Sequence, residues 1–268
     1  MWADALLISA GCLLAAFCAS IAGFAFVLVG AAVLLQFMPP ALVAPVLVMG
    51  SLIVQGIGTY AVRAQIPWPR LWLYVGTATL GLPLGLAVLA LGPARAVVAG
   101  VGLLLVLYAG YTLCRIALLG IAVRALGPAQ GGTVDSGLAR FALRLKSPGM
   151  TATPRSDAVI GFASGILGGI GGYVGALVGM WADMQGMPPQ DTRALMQPFI
   201  AIMQALTIIG LAFTGFFTRE AILLTATAVP ALLLGTWFGL RAGKRLPAQG
   251  FRLVLLSLLL VSGISLLI

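Results

Sequence analysis

Apolar residues in this chain neither alternate nor fall in stripes; they run on. Eight stretches stand between the polar positions, at about 5–37, 41–62, 71–91, 94–119, 158–182, 194–217, 221–240 and 251–268. Several exceed the ~18 residues a helix needs to cross a hydrocarbon core. A backbone in lipid must satisfy its own hydrogen bonds, so each stretch is expected to be helical. The first is too long for one ordinary span. The fifth carries Gly165, Gly168, Gly169, Gly171 and Gly172 in the middle of an apolar run. A polar stretch, about 120–156, divides the first four from the last four.

The chain also repeats itself. Setting Ile21–Gln55 against Ile170–Gln204 without a gap gives identity at 11 of 35 positions. The shared residues include Gly23/Gly172, Gly30/Gly179, Gln36/Gln185, Met38-Pro39-Pro40 against Met187-Pro188-Pro189, and Gln55/Gln204. Shared Leu or Ala would carry little weight in so apolar a chain. Gln-x-Met-Pro-Pro, followed at the same distance by a second Gln, carries much more. The pattern predicts an internal duplication, residues 1–119 and 157–268, joined by a linker at 120–156.

Composition agrees with the pattern. Apolar residues make up 61% and charged residues 8% of the 268, against ~45–50% and ~25% in soluble domains. The net charge of +9 therefore reads as loop Lys and Arg of a membrane protein, not as a nucleic-acid footprint. There is no His, which removes the commonest general base and metal ligand. Cys12, Cys18 and Cys114 fit no zinc or redox spacing and read as small packing residues. Residues 1–20 lack a basic start and carry Asp4, so they are expected to belong to the membrane domain, not to a signal peptide.

Charge then tests topology. If all eight stretches cross once, the 15 Lys and Arg divide 9 against 6. If the first and fifth dip in and return, the division is 13 against 2, with Arg95 and Arg219 alone on the poorer side. The positive-inside rule favours the second arrangement. It puts both termini outside and gives the two copies opposite orientations. Inverted repeats with interrupted helices are a transporter signature. The expected fold class is an all-α polytopic membrane protein with two inverted-topology repeats, each a broken or re-entrant hairpin plus three transmembrane helices. Within the linker, Leu138, Phe141, Ala142 and Leu145 share one helical face, apart from Arg140 and Arg144. This predicts a short amphipathic helix on the inner leaflet.

Three residue groups could carry chemistry. The glycines have two readings, close helix packing or a helix break. Gly76, Gly81, Gly85, Gly100 and Gly102 are assigned to packing. The cluster at 165–172 is assigned to a break in mid-membrane, and its counterpart is Ala22-Gly23-Phe24-Ala25. A half-helix N-terminus there would offer free N–H groups to an anion. Gln55 and Gln204 are either interhelical hydrogen-bonding residues or side-chain donors facing a symmetric cavity. Gln36 and Gln185 lie at segment ends, where Met-Pro-Pro sets a turn. Among the acids, Asp183 and Asp191 look interfacial, and Asp183 is the candidate for proton coupling. An intramembrane enzyme would need clustered buried acids or a nucleophile with a base, and the sequence offers neither. An accessory membrane subunit without transport of its own stays open.

The run Gly165-Ile166-Leu167-Gly168-Gly169-Ile170-Gly171-Gly172, the following Gly186-Met187-Pro188-Pro189 and the Gly23-Phe24-Ala25-Phe26 element carry a resemblance. With the two-copy layout and the length, the chain resembles the TauE/SafE sulfite exporter family, within the toluene sulfonate uptake permease group. It departs from the family pattern at Ala25, in Tyr173–Val178, which lacks a proline, and at Met196-Gln197-Pro198. The resemblance implies a bacterial inner-membrane protein, export or uptake of sulfite or other small sulfur-containing or organic anions, and no bound cofactor. The expected solute site comprises Gly23, Phe24, Gly171, Gly172 and Tyr173, with Gln55 and Gln204 as donors. The expected partners are a small anion and the lipid bilayer, with no nucleic acid and a homodimer left open.

Overall fold

The computed structural model describes residues 2–126, 151–215, 217–242 and 248–268. Among the described residues ten α-helices follow one another: α1 (Trp2–Ala22), α2 (Phe26–Leu34), α3 (Pro40–Val62), α4 (Trp68–Leu91), α5 (Ala94–Leu126), α6 (Pro154–Gly171), α7 (Gly175–Met184), α8 (Pro189–Thr214), α9 (Arg219–Ala242) and α10 (Ala248–Leu267). No strand occurs among the described residues. Six of the described helices are long and apolar enough to cross a membrane: α1, α3, α4, α5, α8 and α9. The chain is therefore a multi-pass membrane protein. Its outward surface is apolar: Leu80, Leu84, Val88 and Leu91 of α4 are all exposed at helical spacing, the face a bilayer would cover.

The helix boundaries follow local chemistry. Thr153 caps α6: its hydroxyl accepts from the Ser156 N–H at 3.2 Å, and Pro154 fills the first position, where a missing N–H costs nothing. This start precedes the 157 expected from hydrophobicity, because capping residues are polar and hydropathy cannot see them. Likewise α5 runs to Leu126 instead of ending near 119; its 33 residues span about 50 Å, well beyond a ~30 Å hydrocarbon core. Pro39 and Pro188, both extended, precede α3 and α8, so Met-Pro-Pro sets the turn in both copies as expected. The amphipathic helix expected at 135–146 lies outside the described residues.

Two of the eight expected segments each divide into two helices. The first breaks at Gly23-Phe24-Ala25, where it was expected to. The fifth breaks at Gly172-Tyr173-Val174, at the end of the glycine cluster and not within it. Gly23 and Gly172 adopt left-handed backbone, φ 93° and 82°, a conformation that residues with a Cβ rarely take. Each closes its helix with a short bond, Gly23 N–H to Ala19 O and Gly172 N–H to Gly168 O, both 2.6 Å. After each break the chain folds back. Leu34 of α2 returns to Gly11 of α1, and Trp181 of α7 returns to Asp157 at the start of α6.

The packing is reciprocal. By order along the two copies α1 matches α6, α2 matches α7, and so on to α5 and α10. α1 packs chiefly on α9 and α4 on α6, so each copy's first helix lies on the other copy's fourth. The matched pairs α3/α8 and α5/α10 pack on each other. Contacts on α4 and α6 advance together: Tyr74 and Thr77 meet Gly161, Ala78 meets Gly165, and Leu82 meets Gly169. Those two helices are parallel. α1 and α9 are also parallel, with Leu13 at Gly235 and Phe17 at Gly239. In α3 and α8 the order reverses, Ser51 meeting Gln204 and Gly58 meeting Gln197. It reverses again in α5 and α10, where Gly102 meets Leu267 and Leu105 meets Gly263.

This packing corrects the reading of the glycine cluster. α6 continues unbroken through Gly165, Gly168 and Gly169. A Cβ on Gly165 would strike the Ala78 carbonyl, and one on Gly169 the Leu82 carbonyl. Gly81 and Gly85 face the Phe162 and Ile166 carbonyls from the other side. Small residues on both helices bring two backbones into contact, the usual association device in lipid. Gly102 packs as expected, against α10, whereas Gly76 and Gly100 have nothing within 4 Å of an added Cβ.

Candidate functional site

The two breaks are tied to the bundle by matched glutamines. Gln55 on α3 aims its Nε2 at the Gly23 carbonyl, 3.5 Å away, at the long limit for a hydrogen bond. Gln204 on α8 donates from Nε2 to the Gly172 carbonyl at 3.0 Å. Both residues are buried, at 2% and 0% exposure. Gln204 Nε2 also reaches Ser51 Oγ at 3.2 Å. Ser51 and Gln55 are one turn apart on α3, where side chains stand ≈ 5–6 Å apart. Each break is therefore tied to the helix that carries its glutamine, and Ser51 brings α3 to Gln204 at the second break as well.

The glutamines therefore use their N–H groups on backbone carbonyls. Both hydrogens of the Gln204 amide are engaged, which leaves its Oε1 buried with no partner among the described residues. The group that Gln204 offers to anything else is an acceptor. Breaking a helix in an apolar interior frees carbonyls that cost several kcal/mol each when unmet. Gln55 and Gln204 meet that need.

The other expected residues cluster near the same two turns. Phe24 is half-buried and meets Tyr108 of α5 edge-on, centroids 6.1 Å apart. Tyr173 is buried, its ring against Gly171, where a Cβ would lie 2.8 Å from the ring. A Cβ on Gly172 would stand 2.9 Å from Val48 and 3.0 Å from Gln204 Oε1. At the first break the neighbour is different. The Arg193 side chain of α8 lies along Gly23, its Cγ 3.0 Å from an added Cβ, and its Nη2 donates to the Ile21 carbonyl. Asp183, at the end of α7, is half-buried, and its carbonyl accepts from Arg115 Nη2 at 3.1 Å.

A polar cluster escaped the sequence reading. Asp157 is buried at 4% exposure. Its carboxylate accepts from Arg70 Nε at 2.8 Å and Nη2 at 3.0 Å, from Tyr74 Oη at 2.7 Å and from Trp181 Nε1 at 2.8 Å. Arg70 Nη2 further donates to Gln185 Oε1 at 2.7 Å. One guanidinium thus joins the start of α4, the start of α6 and the end of α7. The two-pronged geometry suits Arg and a carboxylate, and the aromatic donors complete it. The signal available was Asp157 alone at the head of an apolar segment, with Arg70 at the head of another. Gln36, the counterpart of Gln185, is exposed and meets Ser262 and Ser265 of α10 instead.

Among the described residues no three His, Cys, Asp or Glu side chains gather as a metal site would require. Cys12 and Cys18 are buried, as packing residues should be, while Cys114 is exposed. No curated protein and no solved structure matched the chain. The family model for the sulfite exporter TauE/SafE matches residues 7–266. That match covers nearly all ten helices, both breaks and both glutamines, and the chain belongs to the TauE/SafE sulfite exporter family of membrane transporters.

Proposed function

We propose that this chain is a secondary transporter exporting a small anion, sulfite or an organosulfonate, by alternating access between two inverted repeats. The observation that carries the proposal is the pair of matched breaks. Each has a left-handed glycine, a carbonyl held by the equivalent glutamine, and a new helix beginning three residues on. Irregular backbone at membrane depth is tolerated where it is buried in protein or lines a cavity, and half-helix N-termini favour anions. The solute site takes Gly23, Phe24, Gly171, Gly172 and Tyr173, with Gln55 and Gln204 holding the turns in shape.

Inversion is supported by direction. Matched helices α3 and α8 run antiparallel, and each is long enough to span. Two such helices cross a bilayer in opposite senses. The uneven charge count points the same way and puts both termini on the outer face of a bacterial inner membrane. The α6–α7 unit has both its ends at Arg70, so it enters and returns on one side. Two equivalent turns that exchange roles are what alternating access needs. An inside-negative potential of ~100 mV favours loss of a monovalent anion by ~2.3 kcal/mol, enough to drive export without a buried proton carrier.

The test is anion flux into liposomes that contain this protein alone, at a set potential. Sulfite, sulfate and methanesulfonate are compared. The expected result is potential-driven flux of sulfite or the sulfonate, with sulfate excluded. Flux that requires a proton gradient would assign Asp183 a coupling role. The absence of flux under any gradient would overturn the reading in favour of an accessory subunit.

A further inference from the structure

Near the starts of α4 and α8 stand two arginines that reach across to other helices, Arg70 and Arg193, and they differ in company. Arg70 is matched by the Asp157 carboxylate. Arg193 stands near the start of α8, is half-buried, and has no carboxylate among the described residues within ion-pair distance. Its Nη2 donates to the Ile21 carbonyl at the end of α1, and its Nε stands 3.5 Å from where a Gly23 Cβ would be. A half-buried guanidinium without a carboxylate holds donors ready for an anion. One carbonyl satisfies one of five guanidinium N–H groups.

We propose that Arg193 is the anion-selecting residue of the first break. Its stem lies against Gly23, which keeps the head at the turn between α1 and α2. Bonding to Ile21 fixes that head and leaves donors for an oxyanion. The second break has no such charge. The residue matched to Arg193 is Ala44, and the free polar atom at Gly172 is the acceptor Gln204 Oε1. An anion moving between the breaks meets a fixed positive charge at one end only. A guanidinium suits an oxyanion because its planar fork gives two parallel hydrogen bonds.

The competing role is a cap: Arg193 would merely satisfy the last carbonyls of α1. Two substitutions separate the roles. Arg193→Lys keeps the charge; Arg193→Gln keeps a donor for Ile21 and removes the charge. The inference rests on the transport reading for its flux arm, so binding is measured separately, as the rise in Tm of the purified protein on adding sulfite, methanesulfonate or sulfate. Expected is stabilisation by sulfite or methanesulfonate in the wild type, retained in Arg193→Lys and lost in Arg193→Gln. In liposomes the half-saturating concentration for Arg193→Gln should rise about ten-fold or more, as for loss of a charge-assisted hydrogen bond. Anion stabilisation without flux in the wild type would overturn transport and leave this assignment standing. Equal stabilisation of wild type and Arg193→Gln would overturn the assignment and leave transport standing. No stabilisation of the wild type by any of the three would also overturn the assignment.

Discussion

The break after α1 and the break after α6 share a backbone and differ in company. Both turn on a left-handed glycine, and both have a glutamine from the third helix of the repeat on the glycine carbonyl. Around that frame the side chains have diverged. The first has Arg193 beside it and a long contact to Gln55; the second has Val48, Tyr173 and a tighter contact to Gln204. The ends of the two folded-back units differ more. At the ends of the α6–α7 unit Asp157, Tyr74 and Trp181 surround Arg70, while the positions matched to these four by sequence offset are Ile8, Leu223, Ala32 and the exposed Arg219. What stayed equal is what the main chain cannot do without. A helix break in an apolar interior needs a residue tolerant of positive φ and a donor for the freed carbonyl. The side chains around that frame differ: the ends of α6–α7 meet an ion pair, and the matched positions in α1–α2 are apolar.

The largest effect is expected at the glycines of the breaks. Gly172→Leu should abolish flux, because its φ is strained for a side chain and Val48 and Gln204 already occupy the space. Gly23→Ala should be milder in packing, since its neighbour is the flexible Arg193 stem. Flux assays on the two variants, at matched expression, would show whether the breaks are equally demanding; unimpaired Gly172→Leu would remove the second break from the site.

Next in size is the latch. Asp157→Ala strands Arg70, and breaking a largely buried pair costs about 3 kcal/mol, so Tm in detergent should fall clearly. Ile8→Val at the matched position deletes one methylene, worth about 1 kcal/mol. Similar losses for the two would show that the second copy gains no special anchoring from its ion pair.

The glutamines should separate by less. Gln204→Leu leaves the Gly172 carbonyl unmet and should cost about 1–3 kcal/mol, read from the same melting curves. Gln55→Leu should cost less, because its contact sits at 3.5 Å. The reverse order would mean that the first break depends more on its glutamine than the geometry implies.

The smallest effects probe the helix seam. Gly165→Ala forces α6 away from the Ala78 carbonyl and should cost about 1–3 kcal/mol, as overpacking does. Gly76→Ala on the partner helix meets open space and should stay within about 0.5 kcal/mol.

Much of this molecule can be read along the chain. Uninterrupted apolar runs dictate helices in lipid because the backbone has no other way to satisfy itself there. The ungapped match pairs Gly23 with Gly172 and Gln55 with Gln204, and the first break falls where that match places it. The glycine cluster is where reading along the chain fails. A dense run of glycines looks the same whether it unwinds a helix or lets another backbone approach, since both need only a missing Cβ. Which one applies depends on whether α4 is alongside, and α4 lies some eighty residues away in sequence. The Asp157–Arg70 latch is invisible for the same reason, as is the seat of Arg193 at Gly23. Local rules act over a few residues, so they set the helices, caps and turns. Which helix faces which, and so which charges are neutralised and which stay free, is settled only when the two copies exchange partners in three dimensions.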